Sequence, residues 1–226
     1  MSSRVCRSVV VLWVSLVVSG PIPAGPARFV APVPFETIRV SVNGSGGEVH
    51  GLSENATVSG NGRSVAFYSE AGTLVPGDTN GTRDVFVRDV GTGGVERVSL
   101  SSTGEQGNAL SWDLAVSDDA RYVAFRSYAT NLVPGDINDS IDLFVRDRVA
   151  GTTERVSVTS GGAQRRGDDV AFEPAISGNG RFVAFSSTER FVPDDVDRNA
   201  DVYVHDRTTG TTEIVTVTDA DGQVRK

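Results

Sequence analysis

The sequence predicts an all-β fold, a β-propeller made of four-stranded antiparallel blades, with three full blades plus one extra strand in an open or incomplete ring. Three observations predict it. One long phrase is written three times, starting at Ser59, Ser117 and Ser177, so the copies begin 58 and 60 residues apart. Within each copy two short runs are apolar on both faces, as in strands covered from both sides. Turn residues punctuate the copies at fixed places. A period of this kind means one supersecondary unit used repeatedly, each copy burying its faces against its neighbours. Four-stranded antiparallel units covered on both sides are propeller blades.

The first 27 residues read as a signal peptide. Arg4 and Arg7 give a positive start, Val9–Val18 is apolar, and small residues follow up to Ala24 or Ala27 as cleavage points. The apolar run is short for a bilayer span. This points to a secreted protein, extracellular, periplasmic or at the cell surface, with no membrane insertion after signal removal. The single cysteine, Cys6, lies in this segment, so the mature chain has no disulfide and no thiol chemistry. Removing residues 1–27 takes away two arginines and no acids, which moves the formal charge from −8 to −10. Such an acidic chain is a poor partner for nucleic acid.

A Pro-rich linker occupies 28–36, and residues 37–226 form the partial propeller. Residues 37–42, Thr-Ile-Arg-Val-Ser-Val, match the last strand of a repeat and stand as a lone strand. The blades then span about 55–100, 113–158 and 173–218. In each, strand A is short: 56–59, 114–117, 174–177. A tight turn follows: Gly60-Asn61-Gly62, Asp118-Asp119-Ala120, Gly178-Asn179-Gly180. Asn-Gly is a strong hairpin signal because both central residues then take positive φ, so the middle turn, without glycine, should be less ideal. Strand B surrounds Phe67, Phe125 and Phe185. Strand C surrounds Phe86, Phe144 and Tyr203. Strand D, from Val95 to Leu100 and its copies, alternates apolar and polar, as an outer strand does. Register places Arg63 near Asp89, Arg121 near Asp147, and Arg181 near Asp206, three equivalent ion pairs.

The phrase S-G-N-G-R-x-V-A-F followed by D-V-F-V-R-D-x-x-T-G resembles the TolB-like, or WD-repeat-like, β-propeller family. The resemblance covers residues 37–226. It implies a fold and a binding role, and no shared catalytic residues. The chain departs from TolB in lacking a preceding α/β domain and in carrying an L-V-P-G-D-x-N insertion between strands B and C.

Antiparallel order gathers the A–B and C–D turns at one end. The long B–C loops (about 70–83, 128–141, 188–200) and D–A loops (about 101–113, 159–173) gather at the other, where binding is expected, since loops on a rigid scaffold carry function. The B–C loops carry Asp78, Asn80 and Asp84, then Asp136, Asn138 and Asp142, then Asp195, Asp197 and Asp201. Alternating oxygen side chains near a glycine can wrap Ca²⁺, yet the loop is shorter than an EF-hand and no bidentate Glu follows. Asp and Asn also build turns without any metal, and no metal or cofactor is expected. Trp112, Tyr128, Phe172 and Phe191 sit in or near the long loops as core or ligand contacts. No nucleophile elbow or His-Glu-x-x-His is present, and His205 stands where the other copies have Arg88 and Arg146. The expectation is a non-catalytic binding module with a protein or small-ligand partner. The alternative is an accessory propeller of a larger secreted enzyme or receptor. Three blades are fewer than the 4–8 that usually close a ring. The chain stops in a linker, so missing further blades or a homodimer would cover the outer blades.

Overall fold

In the computed structural model, residues 37–165, 170–195 and 199–215 are described, without the side chains of 170–173. The segment expected to be a signal peptide, the linker 28–36, Asp197 and the last eleven residues lie outside them. Twelve strands form three four-stranded antiparallel sheets. Blade 1 holds β1 (Ser53–Val58), β2 (Ser64–Ser69), β3 (Asp84–Asp89) and β4 (Val95–Arg97). Blade 2 holds β5 (Ser111–Val116), β6 (Tyr122–Ser127), β7 (Asp142–Asp147) and β8 (Thr152–Arg155). Blade 3 holds β9 (Val170–Ile176), β10 (Phe182–Ser187), β11 (Asp201–Asp206) and β12 (Thr211–Ile214). Each sheet runs in chain order, and the sheets do not pair with one another, so the architecture is the open propeller the repeat predicts.

The two-sided strands behave as their composition dictates. β2 is buried along its whole length. Its alternate residues feed two different cores. Ala66, Val85, Val87 and Val98 of blade 1 pack with Leu114, Val123, Phe125 and Phe144 of blade 2. Ala124, Leu143, Val145 and Val156 of blade 2 pack with Val183, Phe185, Phe191 and Tyr203 of blade 3. On the far side of blade 1, Phe67, Leu74 and Phe86 are buried with Val49 against them. That face was expected to stand open, and the segment before β1 closes it. On blade 3 the corresponding outer face is only half covered, with Ala184, Val202 and Val204 of intermediate exposure and Val215 exposed.

Residues 37–42 form no ladder strand. Val42 makes an isolated bridge to Glu48, as Leu100 does to Gln106 and Val158 to Gln164. The segment therefore sits as the linker after a D strand would. The D strands end earlier than their alternation suggests. After Arg97 the Ser99 hydroxyl takes the place of a backbone partner, accepting from Val85 N at 3.2 Å and donating to Asp84 at 2.5 Å.

The A–B turns differ from the hairpin expected. Only one residue in each takes positive φ: Gly62 (70°), Ala120 (59°) and Gly180 (73°). The residue before it caps the turn through its side chain. Asn61, Asp119 and Asn179 each accept the backbone N–H two residues on, at 2.9, 2.9 and 3.0 Å. Adjacent turns are stitched together, Asn61 N to Asp118 O and Asp118 N to Gly178 O, both 2.9 Å. A Cβ on Gly178 would lie 2.2 Å from the Asp118 carboxylate, which leaves no gap at this end.

Two of the three expected ion pairs form, Arg121–Asp147 and Arg181–Asp206, both at 2.7 Å. Arg63 makes no ion pair among the described residues, and Asp89 instead accepts from Thr92 N and Oγ1. The residue after each arginine explains this. Arg121 stacks on Tyr122 and Arg181 on Phe182, at 4.9 and 4.8 Å, which pre-orders the guanidinium. Arg63 is followed by Ser64 and has no ring to lie on.

Candidate functional site

At the long-loop end the acid set resolves into a repeated clamp. β3 starts at Asp84 and β4 ends at Arg97, with Phe86 opposite Arg97 in the register. That brings Arg97 Nη1 to 3.3 Å from Asp78 and 3.5 Å from Asp84. Asn80 Nδ2 donates to Asp84 at 3.0 Å, and Gln106 Nε2 donates to Asp78 and Asp84 at 2.9 and 3.1 Å. Blade 2 repeats the arrangement. Arg155 Nη1 lies 3.0 Å from Asp136 and 3.2 Å from Asp142, and donates to Gln164 at 2.6 Å. Asn138 and Ser157 donate to Asp142 at 2.9 and 2.6 Å. Burial raises the Asp84 and Asp136 carboxyls above the ordinary value. Each pair of loop acids therefore holds a guanidinium, and no group of three or more metal-ligating side chains occurs among the described residues. The oxygen side chains of these two loops bind the loop to its own D strand.

The third copy breaks the pattern. The register is the same, Tyr203 opposite Ile214 as Phe144 is opposite Arg155. Ile214 thus stands at the arginine position and Tyr203 at the phenylalanine position. Asp195 is kept, 6% exposed, and the Tyr203 hydroxyl donates to its Oδ2. Its Oδ1 is buried with no hydrogen-bond partner among the described residues. Burial, and then the Asp195 hydrogen bond, push the Tyr203 phenol well above its usual value. Beside Ile214 a cavity of about 950 Å³ opens, lined in part by Arg165, Arg190, Phe191, Asp195 and Thr212. Asp201 opens β11, and Asp197 lies outside the described residues. The signal for this difference is in the sequence, where Ile and Tyr depart from two copies that agree.

The long-loop aromatics divide. Phe191 is core, edge-on to Phe185 and to Tyr203 with both ring centroids at 5.2 Å. Trp112 packs on Tyr128 at 5.4 Å and carries the Arg126 guanidinium at 4.9 Å, which pairs with Asp113 at 2.7 Å. The Phe172 side chain lies outside the described residues. Sequence reasoning missed a bulge in strand A. Asn55 and Asp113 take φ of 51° and 39°, uncommon for residues with a Cβ. Asn55 donates across the blades to Asp113 at 3.1 Å.

Neither a protein-family model nor a curated relative matches the sequence. Solved structures similar to the chain are TolB and other β-propeller proteins. TolB from Agrobacterium tumefaciens is 18% identical with a TM-score of 0.44, over 71% of this chain and 49% of that one. TolB from Acinetobacter baumannii is 16% identical with a TM-score of 0.32, over 76% and 45%. The β-propeller domain of the Trilobed protease from Pyrococcus furiosus, described as having an open velcro topology, is 10% identical with a TM-score of 0.47, over 72% and 41%. The chain spans about half the length of the TolB structures. No described helix is long and apolar enough to cross a membrane.

Proposed function

We propose that the chain is a secreted, non-catalytic β-propeller interaction module that binds through its long-loop end. The observation that supports this reading is the contrast between the two ends. The short-turn end is stitched shut by backbone hydrogen bonds and close packing. The long-loop end carries the cavity and the buried, half-satisfied Asp195 carboxylate. Export follows from the N-terminal apolar segment, and N-terminal sequencing of the exported protein should read from Gly25 or Arg28.

The mature chain has no cysteine, so single thiols can serve as tethers. Val149, 76% exposed in the C–D turn, and Ile137, 70% exposed in a long loop, are suitable sites. A Val149→Cys protein immobilised through its thiol should keep its binding to a peptide array. An Ile137→Cys protein, tethered by the other end, should lose it. The opposite result would remove the long-loop end from the reading. The half-open face of blade 3 favours a second reading, in which a further blade, from this or another polypeptide, stands against it.

A further inference from the structure

We propose that the cavity beside blade 3 is a binding site for a guanidinium group presented by an external ligand, with Asp195 as its anionic acceptor. The inference rests on the long-loop end being the binding face. The repeat itself reports what this position accepts. In blades 1 and 2 a guanidinium from the fourth strand enters beside the loop acid, at 3.3 Å from Asp78 and 3.0 Å from Asp136. In blade 3 the acid is retained as Asp195, and the strand supplies Ile214 in place of arginine. A carboxylate this deeply buried normally has its charge matched, because a buried oxygen left unpaired is costly. Tyr203 satisfies one Asp195 oxygen by donating a hydrogen bond. The other is buried and has no hydrogen-bond partner among the described residues, and Asp195 and Ile214 both line the cavity.

The rest of the lining favours a guanidinium on an aliphatic stem. Val192 and Ile214 offer apolar surface to methylene groups, as buried arginine stems use elsewhere. Arg165 and Arg190 line the same cavity with Asp194, Asp195 and Glu213. The lining side chains thus carry one net negative charge, which suits a single cation spread over a planar fork better than a compact divalent one.

The test uses the mature chain and N-acetyl-L-arginine amide, with N-acetyl-L-citrulline amide as the neutral isostere, followed by calorimetry. The arginine amide should bind saturably with one site. The citrulline amide should bind roughly ten- to a hundred-fold more weakly, the range for losing a charge-assisted hydrogen bond. Asp195→Asn should weaken the arginine amide by a similar factor. Ile214→Arg should fill the site from within, abolish binding and raise the melting temperature, and it tests the proposal even if Asp195→Asn fails to fold. An arginine-containing tripeptide binding more tightly than free arginine would assign the group to a polypeptide, and the reverse order to a free small molecule. Absence of binding at millimolar amide, unchanged binding in Ile214→Arg, or a melting shift with Ca²⁺ that Asp195→Asn removes would each overturn the proposal. None of these results changes the outcome of the two tethers, so the broader reading stands or falls separately.

Discussion

At Ala120 a side chain occupies a backbone conformation that its two counterparts give to glycine. Its φ of 59° is left-handed and its residue is fully buried. A Cβ in that region costs about 1–2 kcal/mol. Ala120→Gly should therefore stabilise the protein, by about 1 kcal/mol after the added freedom of the unfolded chain is subtracted. A urea midpoint that falls in the variant would contradict this. His205 makes a second single-residue prediction. Arg88 and Arg146 reach back to the preceding linker, donating to Val42 O and Ser101 O at 3.1 and 2.9 Å. The shorter His205 reaches it through Thr212, whose hydroxyl proton goes to Val158 O. Nδ1 must then be the donor to Thr212. Burial holds the imidazole pKa below its usual value. The unfolded chain binds the proton more readily, so this contribution to stability is complete above about pH 6.5 and declines as pH falls. Denaturant midpoints between pH 7.5 and 5 should show the decline, and His205→Gln should flatten it.

Among the elements, B and C strands were legible in the sequence because both their faces are apolar, and in blades 1 and 2 both faces are buried. The shortened D strands were not, because Ser99 reads as an ordinary polar position until its hydroxyl is seen taking a backbone partner. The acid loops were legible as oxygen-rich turns. Their true partners were hidden, because Arg97 and Arg155 lie on another strand and meet the acids only once the sheet forms. The blade 3 cavity lies between these cases, since Ile214 and Tyr203 are visibly deviant yet only packing tells whether a neighbour fills the hole. Removing Arg155 would leave Asp136 and Asp142 buried without a cation. Arg155→Ala should cost about 3–5 kcal/mol. Part of that loss should return as pH falls. A buried carboxyl whose folded pKa is raised binds a proton in the fold before the unfolded chain does, and stability rises as it is protonated. A deficit that grows from pH 7.5 to pH 5 would contradict the clamp.

Over the whole molecule, the three blades act as a row in which each contacts only its neighbours. Blade 2 is sealed on both sides, blade 1 is sealed by the segment carrying Val49, and blade 3 keeps Ala184, Val202 and Val204 half exposed. Contiguous apolar surface of this kind marks an interaction face. Sedimentation at micromolar concentration should show association that increases with concentration. Val204→Lys should shift the distribution toward the monomer, and a wild-type chain that stays monomeric throughout would mean that the face is covered in another way.

The linkers that carry the Leu100–Gln106 and Val158–Gln164 bridges also clasp the blade that follows, which bears on how the protein is made. Ser102 bonds to both backbone groups of Thr153, and Ser160 to both of Thr212, so the outermost strands of blades 2 and 3 are held by residues that come earlier in the chain. During synthesis the N-terminal side emerges first. Blades 2 and 3 therefore each meet their fastener already in place, and assembly has a direction. A chain ending just past β8 should already protect blade 2, whereas a C-terminal piece beginning at β5 should leave the edge of that same blade unfastened.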